Sequence, residues 1–184
     1  NLLFVQKEYV KAIEAYTFLL KTLEPVSGFT PTDIIRLRSY SSIAACHLKL
    51  SQYKEAVSAC QKAASIPNAV AEFQLLSKVH ERCALAFEAL EEYEHALIAL
   101  DKCIAIELYW QTVKASTVAG AAGAASAEIL SLPMPNAEYR AKLIDLVEKK
   151  RSGGFVALPP APEVITQIQV AQVKNELEKD VTQS

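Results

Sequence analysis

Three stretches of the chain repeat one another, and that repetition constrains the fold more than any other feature. They are Tyr9 to Leu20 (YVKAIEAYTFLL), Tyr53 to Ala64 (YKEAVSACQKAA) and Tyr93 to Ile104 (YEHALIALDKCI). Successive opening tyrosines are 44 and then 40 residues apart. Each stretch has Ala three residues after its Tyr, at Ala12, Ala56 and Ala96, and continues apolar at helical spacing. A second helical stretch precedes each Tyr: RLRSYSSIAACHLKLSQ before Tyr53, LLSKVHERCALAFEALEE before Tyr93, and NLLFVQKE before Tyr9. The unit is therefore helix A, a short turn, and helix B opening at Tyr. Ala44 and Ala84 in helix A and Ala12, Ala56 and Ala96 in helix B fall where the two must touch. A side chain that ends at Cβ lets antiparallel helices approach closely.

These units resemble the tetratricopeptide repeat (TPR) family, a 34-residue helix–turn–helix with small residues at its eighth and twentieth positions. The resemblance covers residues 1–108. It implies an all-α fold, a TPR helix–turn–helix solenoid of about three repeats, the first truncated, with a C-terminal helical extension. If each Tyr takes the seventeenth position, repeat two starts at Leu37 and repeat three at Ser77, and Asn1 sits at the ninth position of repeat one. The implied organisation is a TPR domain over 1–110 (repeat one 1–25, repeat two 34–67, repeat three 70–110), an Ala-rich connection and capping helix over 111–151, and a Pro-rich linker and amphipathic helix over 152–184. The extra residues between repeats one and two fall around EPVSGFTPTD, which reads as a loop. Those between two and three fall around PNAVAEFQ and lengthen helix A of repeat three.

The stretch Ala45-Cys46-His47-Leu48-Lys49-Leu50 is further similar to the second repeat of TPR domains in large immunophilin co-chaperones. In a TPR solenoid the A helices line a concave face. On that face stand Arg38 and Lys78 at position two, Ser42 and Arg82 at six, Asn1, Ala45 and Leu85 at nine, and Val5, Lys49 and Ala89 at thirteen. Arg38 and Ser42 are four apart, as are Lys78 and Arg82, so each pair shares one helical face. Several cations in one groove of a chain with net charge −2 form an anion-binding arrangement, and a peptide carboxylate is the natural ligand.

The resemblance supplies a named version of this. Carboxylate-clamp TPR domains grip the C-terminal Glu-Glu-Val-Asp of cytosolic heat-shock chaperones. Asn1 matches the clamp Asn of repeat one, and Lys78 and Arg82 match the clamp Lys and Arg of repeat three. Ser42 stands where repeat two of the family supplies a second Asn, and its shorter side chain weakens that grip or leaves it to water. The clamp Lys of repeat one would lie before Asn1.

Composition narrows the alternatives. With 19 basic and 21 acidic residues the chain lacks the net basic face that counterion release requires, so no nucleic-acid partner is expected. No apolar run is long enough to span a bilayer, and no membrane partner is expected. No signal-peptide pattern opens the chain, which starts at Asn1 without Met. The four cysteines, Cys46, Cys60, Cys83 and Cys103, form no C-x-x-C pair and sit among Ala and Leu. They read as small core residues in a reducing, cytoplasmic or nuclear, compartment rather than as zinc ligands or a disulfide framework. His47 occupies a packing position, and His80 and His95 lack partners at metal-ligand spacing. No G-x-S-x-G, phosphate loop or H-E-x-x-H occurs. No catalytic activity, cofactor or metal is therefore expected.

Beyond the repeats, helix B of repeat three runs on through Ile106, Tyr109 and Trp110, with Trp110 as a capping aromatic. The stretch AGAAGAASAEIL reads as helix interrupted by Gly120 and Gly123, stopped by Pro133 and Pro135. Asn136 can cap a new helix with Tyr139, Leu143 and Leu146/Val147 on one face, closing on Lys149-Lys150-Arg151. Ser152-Gly153-Gly154 is a break and FVALPPAPEV is extended. A last amphipathic segment, about Val164 to Leu177, carries Ile165, Ile168, Val173 and Leu177 as its stripe; it can pack back on the solenoid or onto another chain, and contact with another subunit is the favoured expectation. Two functions follow as expectations. One is an adaptor of co-chaperone type that binds a protein or peptide with an acidic C-terminus, a heat-shock chaperone above all, through Asn1, Arg38, Ser42, Lys49, Lys78 and Arg82. The other is a structural TPR scaffold subunit with a non-chaperone partner.

Overall fold

The computed structural model describes residues 2–23, 30–66, 72–119 and 135–151. Among them are seven helices and no strand: α1 (Leu2–Val5), α2 (Tyr9–Leu23), α3 (Thr30–Lys49), α4 (Tyr53–Ala64), α5 (Phe73–Ala89), α6 (Tyr93–Ala119) and α7 (Ala137–Lys150). The chain is all-α. Each helix packs on the next from α1 through α6, α3 also packs on α5, and α7 packs on α6. No helix among the described residues is long and apolar enough to cross a membrane.

The three hairpins turn in the same way. Lys7, Ser51 and Glu91 take left-handed backbone conformations with φ of 60°, 57° and 59°. After each, the N–H of Glu8, Gln52 or Glu92 donates back to the carbonyl of Leu3, His47 or Phe87 at 2.9 Å. The N–H groups of Lys7, Ser51 and Glu91 donate to Phe4, Leu48 and Glu88. This double closure is the Schellman motif, which satisfies carbonyls orphaned at the helix end. The carbonyls of Glu8, Gln52 and Glu92 then accept from Ala12, Ala56 and Ala96 and start the next helix at Tyr. One residue thus ends helix A and begins helix B, which is why the turn is so short.

The small residues lie where the periodicity puts them. Ala12, Ala44, Ala56, Ala84 and Ala96 are all 0% exposed. Ala44, Ala84 and Ala96 share one cluster with Leu37, Val79, Leu97 and Leu100, and Ala56 lies in a second with Val57 and Ala86. At such a contact extra methylenes have nowhere to go. Ala96→Leu is expected to cost about 1–3 kcal/mol through overpacking, read as a lowered denaturant midpoint at unchanged m-value.

All four cysteines are free and buried. Cys103 is pushed up to about 12 chiefly by burial, against a lowering hydrogen bond from Ser77. Cys60 is raised by its hydrogen bond to Cys83 and then by burial. Thiols held protonated in this way serve as small packing groups.

Two details differ from the sequence reading. First, α3 begins at Thr30, so TPTD at the end of EPVSGFTPTD is helical; Pro31 is tolerated there because the first turn has no intrahelical N–H bond to lose. Second, Asn136 precedes α7 but does not cap it with its side chain. It adopts φ 56° and ψ 25°, and its backbone carbonyl accepts from Arg140 N–H instead. Trp110 stacks on Phe73 with ring centroids 3.7 Å apart and 22° between planes, closing the open end of the α5–α6 hairpin. At the other gap between repeats, Phe73 and Gln74 do lie in α5. Asn1, residues 24–29 and 67–71, the interrupted stretch at Gly120 and Gly123 with Pro133, the break at 152–154, FVALPPAPEV and the segment 164–177 lie outside the described residues.

The α7 helix is held by more than its apolar face. Leu143 and Val147 are buried. Beside them Arg140 Nε donates to Asp101 Oδ1 at 2.6 Å and Nη2 to Oδ2 at 3.4 Å, both residues buried. Tyr139 Oη donates to Glu88 at 2.8 Å, and Lys142 pairs with the same carboxylate. The closing basic run reaches back to the α5–α6 turn: Lys150 Nζ donates to the Glu91 carbonyl, and Arg151 Nε to Glu94 at 2.8 Å.

Candidate functional site

The exposed groups singled out in the sequence fall on two neighbouring helices. On α3, Arg38, Ser42, Ala45 and Lys49 recur at spacings of three and four and so share one face. On α5, Lys78, Arg82, Leu85 and Ala89 do the same. Arg38, Lys49, Lys78 and Leu85 are exposed, and Ser42 and Arg82 are partly buried. Asn1 lies outside the described residues.

The four cations are in different electrostatic states. Lys49 and Lys78 have no ion-pair partner among the described residues. Arg38 Nη2 sits 3.4 Å from Glu72 Oε1, an exposed pair across the α3–α5 boundary. Its charge is therefore partly offset within the chain, although such a pair contributes at most about 1 kcal/mol. Arg82 crosses from α5 to α3. Its Nη1 donates to the Ser41 carbonyl at 3.0 Å and to the Ser41 hydroxyl. Both acceptors are uncharged, so the guanidinium keeps its full charge. That charge is felt at Cys46 and Cys60, where it lowers thiols that other causes raise.

This surface of α3 and α5 thus combines a positive segment around Lys78 and Arg82, a partly offset Arg38 and apolar ground at Leu85 and Ala45. Chemically this arrangement can hold an oxyanion. Among the described residues no group of three His, Cys, Asp or Glu is placed to hold a metal ion. His95 Nδ1 lies 3.1 Å from Glu92, and His47 Nδ1 lies 2.7 Å from Gln52 at the α3–α4 turn. Both histidines bond locally.

Two partners of these residues were not foreseen. Ser41 precedes Ser42 and falls on the buried side of α3; a serine there, between Leu37 and Ala44, signals a hydroxyl in need of a donor or acceptor. Glu72 lies within the extra residues between repeats two and three, where repeat alignment has no register. No family model, curated protein or solved structure matches the chain.

Proposed function

We propose that the chain is a TPR-type adaptor, a solenoid of about three repeats whose concave face captures the acidic C-terminal peptide of a cytosolic heat-shock chaperone. The observation that carries this reading is the state of the α5 cations. Lys78 is exposed without a carboxylate partner among the described residues, and Arg82, one turn on, is bonded to neutral oxygens. A chain that used these groups only for its own stability would be expected to pair them with acids. The repeated Schellman turns and fully buried alanines support the repeat assignment beneath it. The reading carries a cytoplasmic or nuclear site of action and no catalytic role.

The test is a titration with a peptide ending in Glu-Glu-Val-Asp beside the same peptide amidated at its C-terminus. Micromolar binding is expected, lost on amidation and weakened by added salt. Lys78→Ala and Arg82→Ala should each weaken it about 10–100-fold, the value of one charge-assisted hydrogen bond. Equal binding of the two peptides, or none, would sink the reading.

Scaffolding of a non-chaperone partner is the second reading, and one observation favours it. Val10 and Phe18 on α2 are 57% and 73% exposed. The matching positions of the later repeats carry Lys54 and Glu94, and Lys62 and Lys102. Apolar groups where sister repeats place charge suit a covered surface. Under this reading Val10→Lys and Phe18→Lys abolish partner assembly, seen as loss of the complex on size-exclusion chromatography.

A further inference from the structure

We propose that Ser41 is a positioning residue for anion binding: it holds the Arg82 guanidinium ready across α3 and α5, before any ligand arrives. The inference rests on the peptide-binding reading above and adds a residue that the repeat pattern does not point to. Ser41 is 1% exposed, and a hydroxyl so far from water needs a partner. It finds one in Arg82, whose Nη1 donates to both the hydroxyl and the backbone carbonyl of the same residue. Two acceptors on one residue fix the plane of the guanidinium as well as its position. An arginine has five N–H donors in a rigid fork, so this anchor leaves donors over for a ligand carboxylate.

Because Ser41 offers only neutral oxygens, it orders the side chain without neutralising it. Arg38 shows the alternative on the same face: Glu72 orders it at the expense of its charge. A carboxylate arriving at Arg82 meets a charge already oriented, and the ordering cost otherwise paid on binding is already met. Ser42, partly buried one residue on, offers a single hydroxyl where the family pattern has an amide. The pinned arginine beside it supplies a larger share of the hold on the terminal carboxylate.

The test uses the full chain with Ser41→Ala and Ser41→Thr. In the free protein, nitrogen NMR of Arg82 should show hindered guanidinium rotation, with separate Nη signals. Ser41→Ala should merge them and Ser41→Thr, which retains the hydroxyl, should keep them separate. Peptide binding should weaken about 5–10-fold in Ser41→Ala and recover in Ser41→Thr. Unchanged Arg82 signals in Ser41→Ala would overturn the proposal. So would loosened signals with unchanged peptide affinity, or an affinity loss that Ser41→Thr fails to restore. A wild-type chain that ignores the peptide overturns the reading beneath, and the guanidinium signals then still decide whether Ser41 holds Arg82.

Discussion

Asp101→Ala should destabilise the protein by about 3–5 kcal/mol. Asp101 and Arg140 are both almost fully buried and meet through two hydrogen bonds between α6 and α7. Removing the acid leaves a guanidinium in the interior with no counter-charge, and its desolvation is then uncompensated. Arg140→Ala strands the carboxylate instead and should cost a similar amount. Replacing both, as Asp101→Leu with Arg140→Met, removes the two desolvation costs together and should come out near neutral. A chemical denaturation series measures all three. The site of the damage is also specified. Because α7 joins the rest chiefly through α6, hydrogen exchange in Asp101→Ala should rise first along α7 and the second half of α6, while α3 and α4 keep their protection. A double variant as unstable as either single one would show that the pair supports something beyond its own charges.

That ion pair also marks where the sequence stops being informative. The hairpins were legible because their determinants are local and repeated. Tyr, then Ala three residues on, with a small residue facing it from helix A, recurs often enough to fix register. The buried cysteines were legible for the same reason, since each sits inside an apolar periodic run. Partners 30 to 60 residues apart leave no such trace. Arg140 reads as a polar residue at the start of a helix, and only its place one turn before Leu143 and two before Val147 hints that it faces inward. Asp101 interrupts the run Leu97, Leu100, Ile104 and had to be paired, but nothing local names the partner. Arg82 and Arg38 divide along the same line. Their place on the A-helix face follows from repeat register, whereas their states follow from Ser41 and Glu72, which register does not reach. Asn136 shows a local rule overridden: Asn tolerates the left-handed backbone that the chain needs there, and in that conformation its side chain does not cap.

Acidification should weaken the fold well before the carboxylates titrate, and His80 should account for it. Burial lowers the His80 pKa from its ordinary 6.5 to about 4, and the Lys102 ammonium adds to the effect. Between those values the unfolded chain binds a proton that the folded chain refuses, so stability rises with pH across the interval. It is fully present above 6.5 and is lost as pH falls toward 4. The interval corresponds to about 3 kcal/mol, and water reaching the partly exposed ring trims this to about 2. Glu88 adds a separate loss at lower pH. Burial raises its carboxyl, but bonds from Lys142 and Tyr139 outweigh that and leave it below the ordinary value. The two are distinguishable by where the slope begins. In His80→Gln, denaturant midpoints from pH 7 to pH 4.5 should be nearly flat while the steeper fall below pH 4 remains. A variant that keeps the wild-type slope in the upper interval would move the titrating group elsewhere. Because the folded chain keeps His80 neutral down to about pH 4, peptide affinity at Lys78 and Arg82 should not follow His80 between pH 6.5 and pH 4.5, whereas stability should.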